Sequence, residues 1–298
     1  MAEIIQRDGT WAFDGSTIRI TPGLHRRVPL FRQTYGEVSV PLEAVSDVVW
    51  EPERGRGRLR MRLREGADPL LQATGGRLPD PADPYRLTVD ANRGGVAEYV
   101  AEEIRQALLL DRVPKEATHA YLLPGPPVPV SVRSSDGTVS FDGAQVRIDW
   151  ADTSGRVKRA TGPRIIALRD LVQVEWLPNR GYEDGFLRFV TPETVCSKLP
   201  PERDPYTLDL WGSVRRDLLT ALVATAVTAR LPHPSLRTGT AFDGRDGRDG
   251  RRPAVPGQAD HHDVLLRRLR ELGELHRDGV LTDAEFATTK AAVLRGFG

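Results

Sequence analysis

The chain has 298 residues, with 42 Lys plus Arg set against 41 Asp plus Glu for a formal net charge of +1. That length predicts about two domains with cores large enough to need no staples. The balanced charge excludes attraction of nucleic acid or membrane by the molecule as a whole and leaves such a role only to local clusters.

The N-terminal MAEIIQRDGTW has no basic start and no long apolar run, so it does not read as a signal peptide. The single cysteine, Cys196, excludes an intramolecular disulfide and fits a reducing compartment, so a cytoplasmic protein is expected. Strands are predicted at 11–13 and 17–20, on either side of an Asp14-Gly15 hairpin turn. His25, Arg26, Arg27 and Arg32 then form a basic cluster, read as loop. Further strands are expected at 37–40, 45–50, 59–63 and 85–89, with a weak one at 70–73, which makes about seven. Val96, Val100, Ile104 and Leu108 recur every four residues and predict an amphipathic helix over 95–110. A Pro-rich joint, LLPGPPVPV, is expected to be stiff and extended.

After the joint the pattern starts again. DGTWAFDGSTIRI from Asp8 and DGTVSFDGAQVRI from Asp136 share eight identities in thirteen positions. The match continues through Leu42, Trp50 and Pro52 against Leu168, Trp176 and Pro178, through Leu59 against Leu187, and through DPYRLTV against DPYTLDL. This is an internal duplication. The second copy closes with a helix near 214–231 that is apolar all round (LLTALVATAV) and is expected to be buried on more than one side. That run is too short to span a bilayer. Equivalent Trp50 and Trp176 are expected in the two cores.

From 232 to 260 the sequence is Gly-Arg-Asp-rich and is read as a disordered linker. The tail, 261–298, alternates as a helical hairpin: Leu265, Leu266, Leu269, Leu272 and Leu275 on one face, Asp278-Gly279 ending the first helix, and Thr282 to Glu285 capping the second. The domain organisation is therefore a first module at 1–112, a joint at 113–130, a second module at 131–231, the linker and the hairpin.

The order of seven strands and one closing helix resembles a pleckstrin-homology-like (PH-like) barrel, so the expected fold is mainly β with α: two tandem PH-like modules plus a helical hairpin. In the tail, Gly279, Leu281, Thr282, Glu285, Phe286 and Lys290 resemble the short C-terminal (SHOCT) domain. The duplicated module resembles an uncharacterised actinobacterial family, often tandem and often followed by such a tail. The resemblance implies architecture and a bacterial cytoplasmic setting, with no catalytic residues to carry over.

The sharpest chemical feature is RGRGRLRMRLR, in which Arg54, Arg56, Arg58, Arg60, Arg62 and Arg64 alternate with Gly, Leu and Met. In a strand this places the guanidiniums on one face. Two readings stay open: an anionic partner that relieves their repulsion, or a solvated outer strand neutralised by Glu51, Glu53 and Glu65. The second copy has Phe186, Arg188 and Val190 at three of these positions. His261-His262 lacks further ligands at metal spacing, Cys196 has no sequence-near His, and no phosphate loop, GxSxG or HExxH occurs. No cofactor, metal or catalytic role is expected. The expected function is a non-catalytic interaction or assembly protein that associates through Leu265, Leu269, Leu272 and Phe286 of the hairpin. The alternative is a peripheral binder of acidic lipid or nucleic acid through the arginine stripe.

Overall fold

A computed structural model describes residues 1–238, apart from 182 and 196–198. The hairpin with Leu265, Leu269, Leu272 and Phe286 lies outside the described residues, as do Cys196, His261-His262 and the linker beyond 238.

The first copy opens with β1 (Ala2–Gln6), β2 (Gly9–Phe13), β3 (Thr17–Pro22), a short helix α1 (Leu30–Tyr35) and β4 (Val38–Pro41), the four strands forming one antiparallel meander. A second, three-stranded meander holds β5 (Val45–Glu51), β6 (Arg56–Leu63) and β7 (Arg86–Asp90), with α2 (Pro69–Thr74) inserted before β7. Helix α3 (Gly94–Leu110) closes the copy by packing on β5 and β1. Its buried stripe is Ala97, Val100, Ala101 and Ile104, with Val96 and Leu108 at the margin and Glu98 and Glu102 exposed.

The second copy repeats the plan. β8 (Val130–Arg133), β9 (Gly137–Phe141), β10 (Gln145–Trp150), α4 (Arg156–Ala160) and β11 (Arg164–Ala167) match the first meander. β12 (Gln173–Leu177), β13 (Gly185–Val190) and β14 (Thr207–Leu210) match the second. The duplication holds to the residue: Trp50 stands opposite Leu59 across β5 and β6, and Trp176 opposite Leu187 across β12 and β13. Both indoles share the inner face of their sheet. Trp176 is 2% exposed and donates its Nε1–H to Thr220 Oγ1 at 2.9 Å. Trp50 is half-buried, and its ring fills the space that a side chain at Gly57 would take.

Several expectations need correction. Residues 70–73 are not a strand but the body of α2. Asp68 caps it by accepting from the Leu70 and Leu71 N–H groups, and Pro69 sits in the first turn. The seventh strand is instead β1, whose AEIIQ pairs along the whole of β2. The hairpin turn is centred one residue later than Asp14-Gly15, because the Asp14 N–H donates to Thr17 O and Gly15 takes φ 109°. The Asp14 carboxylate accepts from the Ser16 and Thr17 N–H groups, which hold its pKa below the usual range.

The closing helix of the second copy is broken into α5 (Val214–Asp217) and α6 (Thr220–Thr228). All nine residues of α6 are buried, because it lies between α2 of the first copy and β8, β9 and β12 of the second. The joint is tied down rather than free, since the Leu122 and Leu123 N–H groups both donate to Ala67 O. The linker read as starting at 232 begins with ordered chain. His233 is buried, holds Gly66 O at 3.0 Å and meets the Tyr121 ring edge-on at 4.8 Å, ahead of α7 (Pro234–Thr238).

Candidate functional site

The alternation in β6 places Arg56, Arg58, Arg60 and Arg62 on the outer face and buries Gly57, Leu59 and Met61. The six-membered stripe is corrected to four. Arg54 precedes the strand, and Arg64 lies past it with its guanidinium donating to the carbonyls of Glu116 and Glu43. Nor is the stripe bare: Arg56 pairs with Asp90 at 3.6 Å, Arg58 with Glu53 at 2.6 Å and Arg60 with Glu51 at 3.6 Å. These exposed pairs screen one another, so the row of arginines alone supplies little pull.

One end of the stripe opens into a cleft of about 390 Å³. Arg56 and Arg58 form one side, joined by Arg86 from β7. The opposite side is Arg7 and Asp8 in the β1–β2 turn, with His25 and Arg27 from the segment before α1. Val28, Pro29, Pro81 and Leu87 supply an apolar wall, and Arg32 of α1 also lines the cleft. The fold thus joins part of the stripe to part of the second basic cluster, adds Arg7 and Arg86, and leaves Arg60 and Arg62 outside. Six arginines line the cleft against the three aspartates Asp8, Asp80 and Asp90. Arg86 is held by Asp80 and by Asp83. Burial raises the Asp83 carboxyl above its ordinary range, against the pull of the Tyr85 N–H and Arg86.

Arg32 is not a loop residue. It is 3% exposed and donates Nη1 to Asp8 Oδ2 at 3.3 Å, the same oxygen that accepts the Thr88 N–H. Its Nε and Nη2 have no hydrogen-bond partner among the described residues. Gly9 permits the approach: a Cβ there would lie 3.1 Å from Arg32 Nη2 and 2.8 Å from Thr21 O.

The second copy builds the same corner with different chemistry. Asp136 stands for Asp8, Lys158 of α4 for Arg32 and Asp209 for Thr88. Lys158 is fully buried, and its Nζ donates to Asp136 Oδ2 at 2.6 Å, while the Asp209 N–H donates to the same oxygen at 2.9 Å. Where the first copy has Arg7, Arg56, Arg58 and Arg86, the second has Ser135, Asp184, Phe186 and Thr207. Burial, with the charges of Asp136, Asp184 and Glu202, pushes Asp209 up to about 6 against the opposing charge of Lys158. The corner is cationic in one copy and acidic in the other.

Two stretches, residues 11–105 and 139–228, match the family described as "Domain of unknown function (DUF4429)". The chain belongs to this family. Each DUF4429 segment covers one of the duplicated modules from β2 or β9 into the closing helix. No curated protein matches the sequence. Among the described residues of this DUF4429 chain, no group of three or more His, Cys, Asp or Glu could hold a metal ion. Nor is any helix there long and apolar enough to cross a membrane.

Arg7, Asp8 and Arg86 belong to the cleft and went unnoticed in the sequence. A signal for Asp8 was present, because Asp8-Gly9 recurs as Asp136-Gly137 at the head of both copies. The recurrence marks a carboxylate that holds a buried cation and a glycine that admits it.

Proposed function

We propose that the chain is a non-catalytic interaction protein whose first module engages an anionic partner through the arginine-lined cleft, with the second module as its scaffold. The observation that carries this reading is Arg32: a buried guanidinium on the cleft wall, with two nitrogens left without acceptors. A buried donor without a partner is costly, and an anion in the cleft offers one. The surplus of arginine over aspartate around it favours the same class of ligand. Each module is further read as PH-like, since two meanders of four and three strands with a closing helix follow that element order. The reading of 261–298 as a SHOCT-like association element in a bacterial cytoplasmic protein rests on its residue pattern.

Calorimetric titration of the full chain with sodium tripolyphosphate tests the proposal. Binding is expected at low salt and should weaken as salt rises, since screening acts on exposed charges. R56Q/R58Q should lose it and R60Q/R62Q should keep it. No binding by the wild type at low salt, or unchanged affinity in R56Q/R58Q, would overturn the proposal.

A further inference from the structure

Arg32 and Lys158 occupy the same place in the two copies, and each holds the aspartate of its own β-turn. Lysine is therefore sufficient for the structural task, and in the second copy it performs it at 2.6 Å with nothing left over. Arginine in the first copy brings the additional donors Nε and Nη2, which the fold does not use. These two nitrogens form the side-on fork of a guanidinium, while Nη1 at the other end is the atom committed to Asp8. Such a fork matches two oxygens of one oxyanion, which an ammonium cannot do.

The surroundings narrow the oxyanion. A carboxylate brings one negative charge and would leave most of the cationic surplus of the cleft uncompensated, whereas a phosphomonoester carries about −1.5 to −2 with three strong acceptor oxygens. The cleft is also a recess of about 390 Å³ and not a flat face, a size typical of small-molecule sites. Its apolar wall of Val28, Pro29, Pro81 and Leu87 can cover a compact organic body beside the phosphate. A duplex carries its charge as phosphodiesters along a rod, and neither the recess nor the fork is suited to that.

Resting on the anion-binding reading above, we infer that the first-module cleft takes a phosphomonoester on a small organic body, with Arg32 as the anchoring fork and Arg7, Arg58 and Arg86 around it. The same group could arrive on a soluble metabolite or as the exposed headgroup of a lipid.

The test uses the full chain and four probes: glycerol 3-phosphate, citrate, and phosphatidylcholine vesicles doped with either phosphatidic acid or phosphatidylglycerol. Binding of glycerol 3-phosphate identifies a soluble source, and binding confined to phosphatidic acid vesicles identifies a headgroup. Citrate and phosphatidylglycerol, a phosphodiester, should bind at least about tenfold more weakly in either case, the loss of one charged hydrogen bond. R32K should fold, as the second copy shows lysine to be compatible with this corner, and should lower phosphomonoester affinity roughly ten- to a hundredfold. R7Q, at the exposed mouth of the cleft, should weaken it as well. If R32K does not fold, wild-type selectivity and R7Q decide the matter.

Equal binding of citrate or phosphatidylglycerol, or wild-type affinity in a folded R32K, would overturn the inference while tripolyphosphate binding keeps the anion-binding reading in place. Absence of all binding, tripolyphosphate included, would remove both.

Discussion

Asp68 caps α2 from a position that is 2% exposed, accepting from Leu70 N–H, Leu71 N–H and the Tyr85 hydroxyl. Burial outweighs these three donors and raises its pKa from 3.8 to about 6. A carboxyl that holds its proton more tightly in the folded state stabilises the fold below the unfolded value near 3.8, and that contribution is lost as pH climbs through about 6. The gap corresponds to about 3 kcal/mol as a ceiling. Asp68→Asn removes this dependence. The amide keeps one acceptor for the cap but loses the bond from Leu71, at a cost of about 1 kcal/mol. The variant is therefore expected to be less stable than wild type by about 1 kcal/mol near pH 4 and more stable by about 2 kcal/mol at about pH 7.5. Urea unfolding of both proteins across that range measures the difference directly. Asp83, Asp209 and Asp217, also raised by burial, are present in both proteins. A difference of one sign and constant size across the range would show that Asp68 stays ionised in the fold, and would refute the argument.

Three further outcomes are expected. Lys158→Met should cost about 3–5 kcal/mol in chemical denaturation, because it strands Asp136 as a buried charge, whereas pairing it with Asp136→Asn should recover part of the loss. Gly57→Ala should cost about 1–3 kcal/mol and change the tryptophan emission, since its new methyl would meet the Trp50 ring and force it aside. Removing residues 261–298 should lower the mass seen by light scattering and leave the melting temperature of residues 1–238 nearly unchanged if the hairpin associates chains. Unchanged mass with a lower melting temperature would mean that it docks on its own modules instead.

The duplication was legible because both copies retained the residues that set backbone geometry: Asp8 and Asp136, Gly15 and Gly143, Trp50 and Trp176. Alternation in β6 was equally legible, since its period of two follows from the pleat alone. Helix α2 was missed because its sequence, PLLQAT, is too short to show a period and its decisive feature is the Asp68 cap. β1 was missed because AEIIQ is strand-like only once β2 is beside it. The cleft was half legible. Its arginines appeared as two clusters about thirty residues apart, and only the packing of α1 and the β1–β2 turn against β6 and β7 brings them together. That Arg32 was buried could not be read from a run of basic residues, where exposure is the ordinary expectation.

Helix α6 is the last full element of the second module to leave the ribosome, yet it covers α2 of the first. Translation at roughly 5–20 residues per second separates the two by on the order of 10–30 s. For that interval the nascent first module has its strands, its cleft and α3 but presents the apolar surface of Leu70 and Ala73 uncovered. Neither half can therefore mature alone, and a frameshift or stop codon inside the second copy would yield a sticky, truncated product instead of a working single module. A gene that has fixed such a shared helix can let the two copies diverge in chemistry, as the arginine and lysine corners have done, but it can no longer discard one of them.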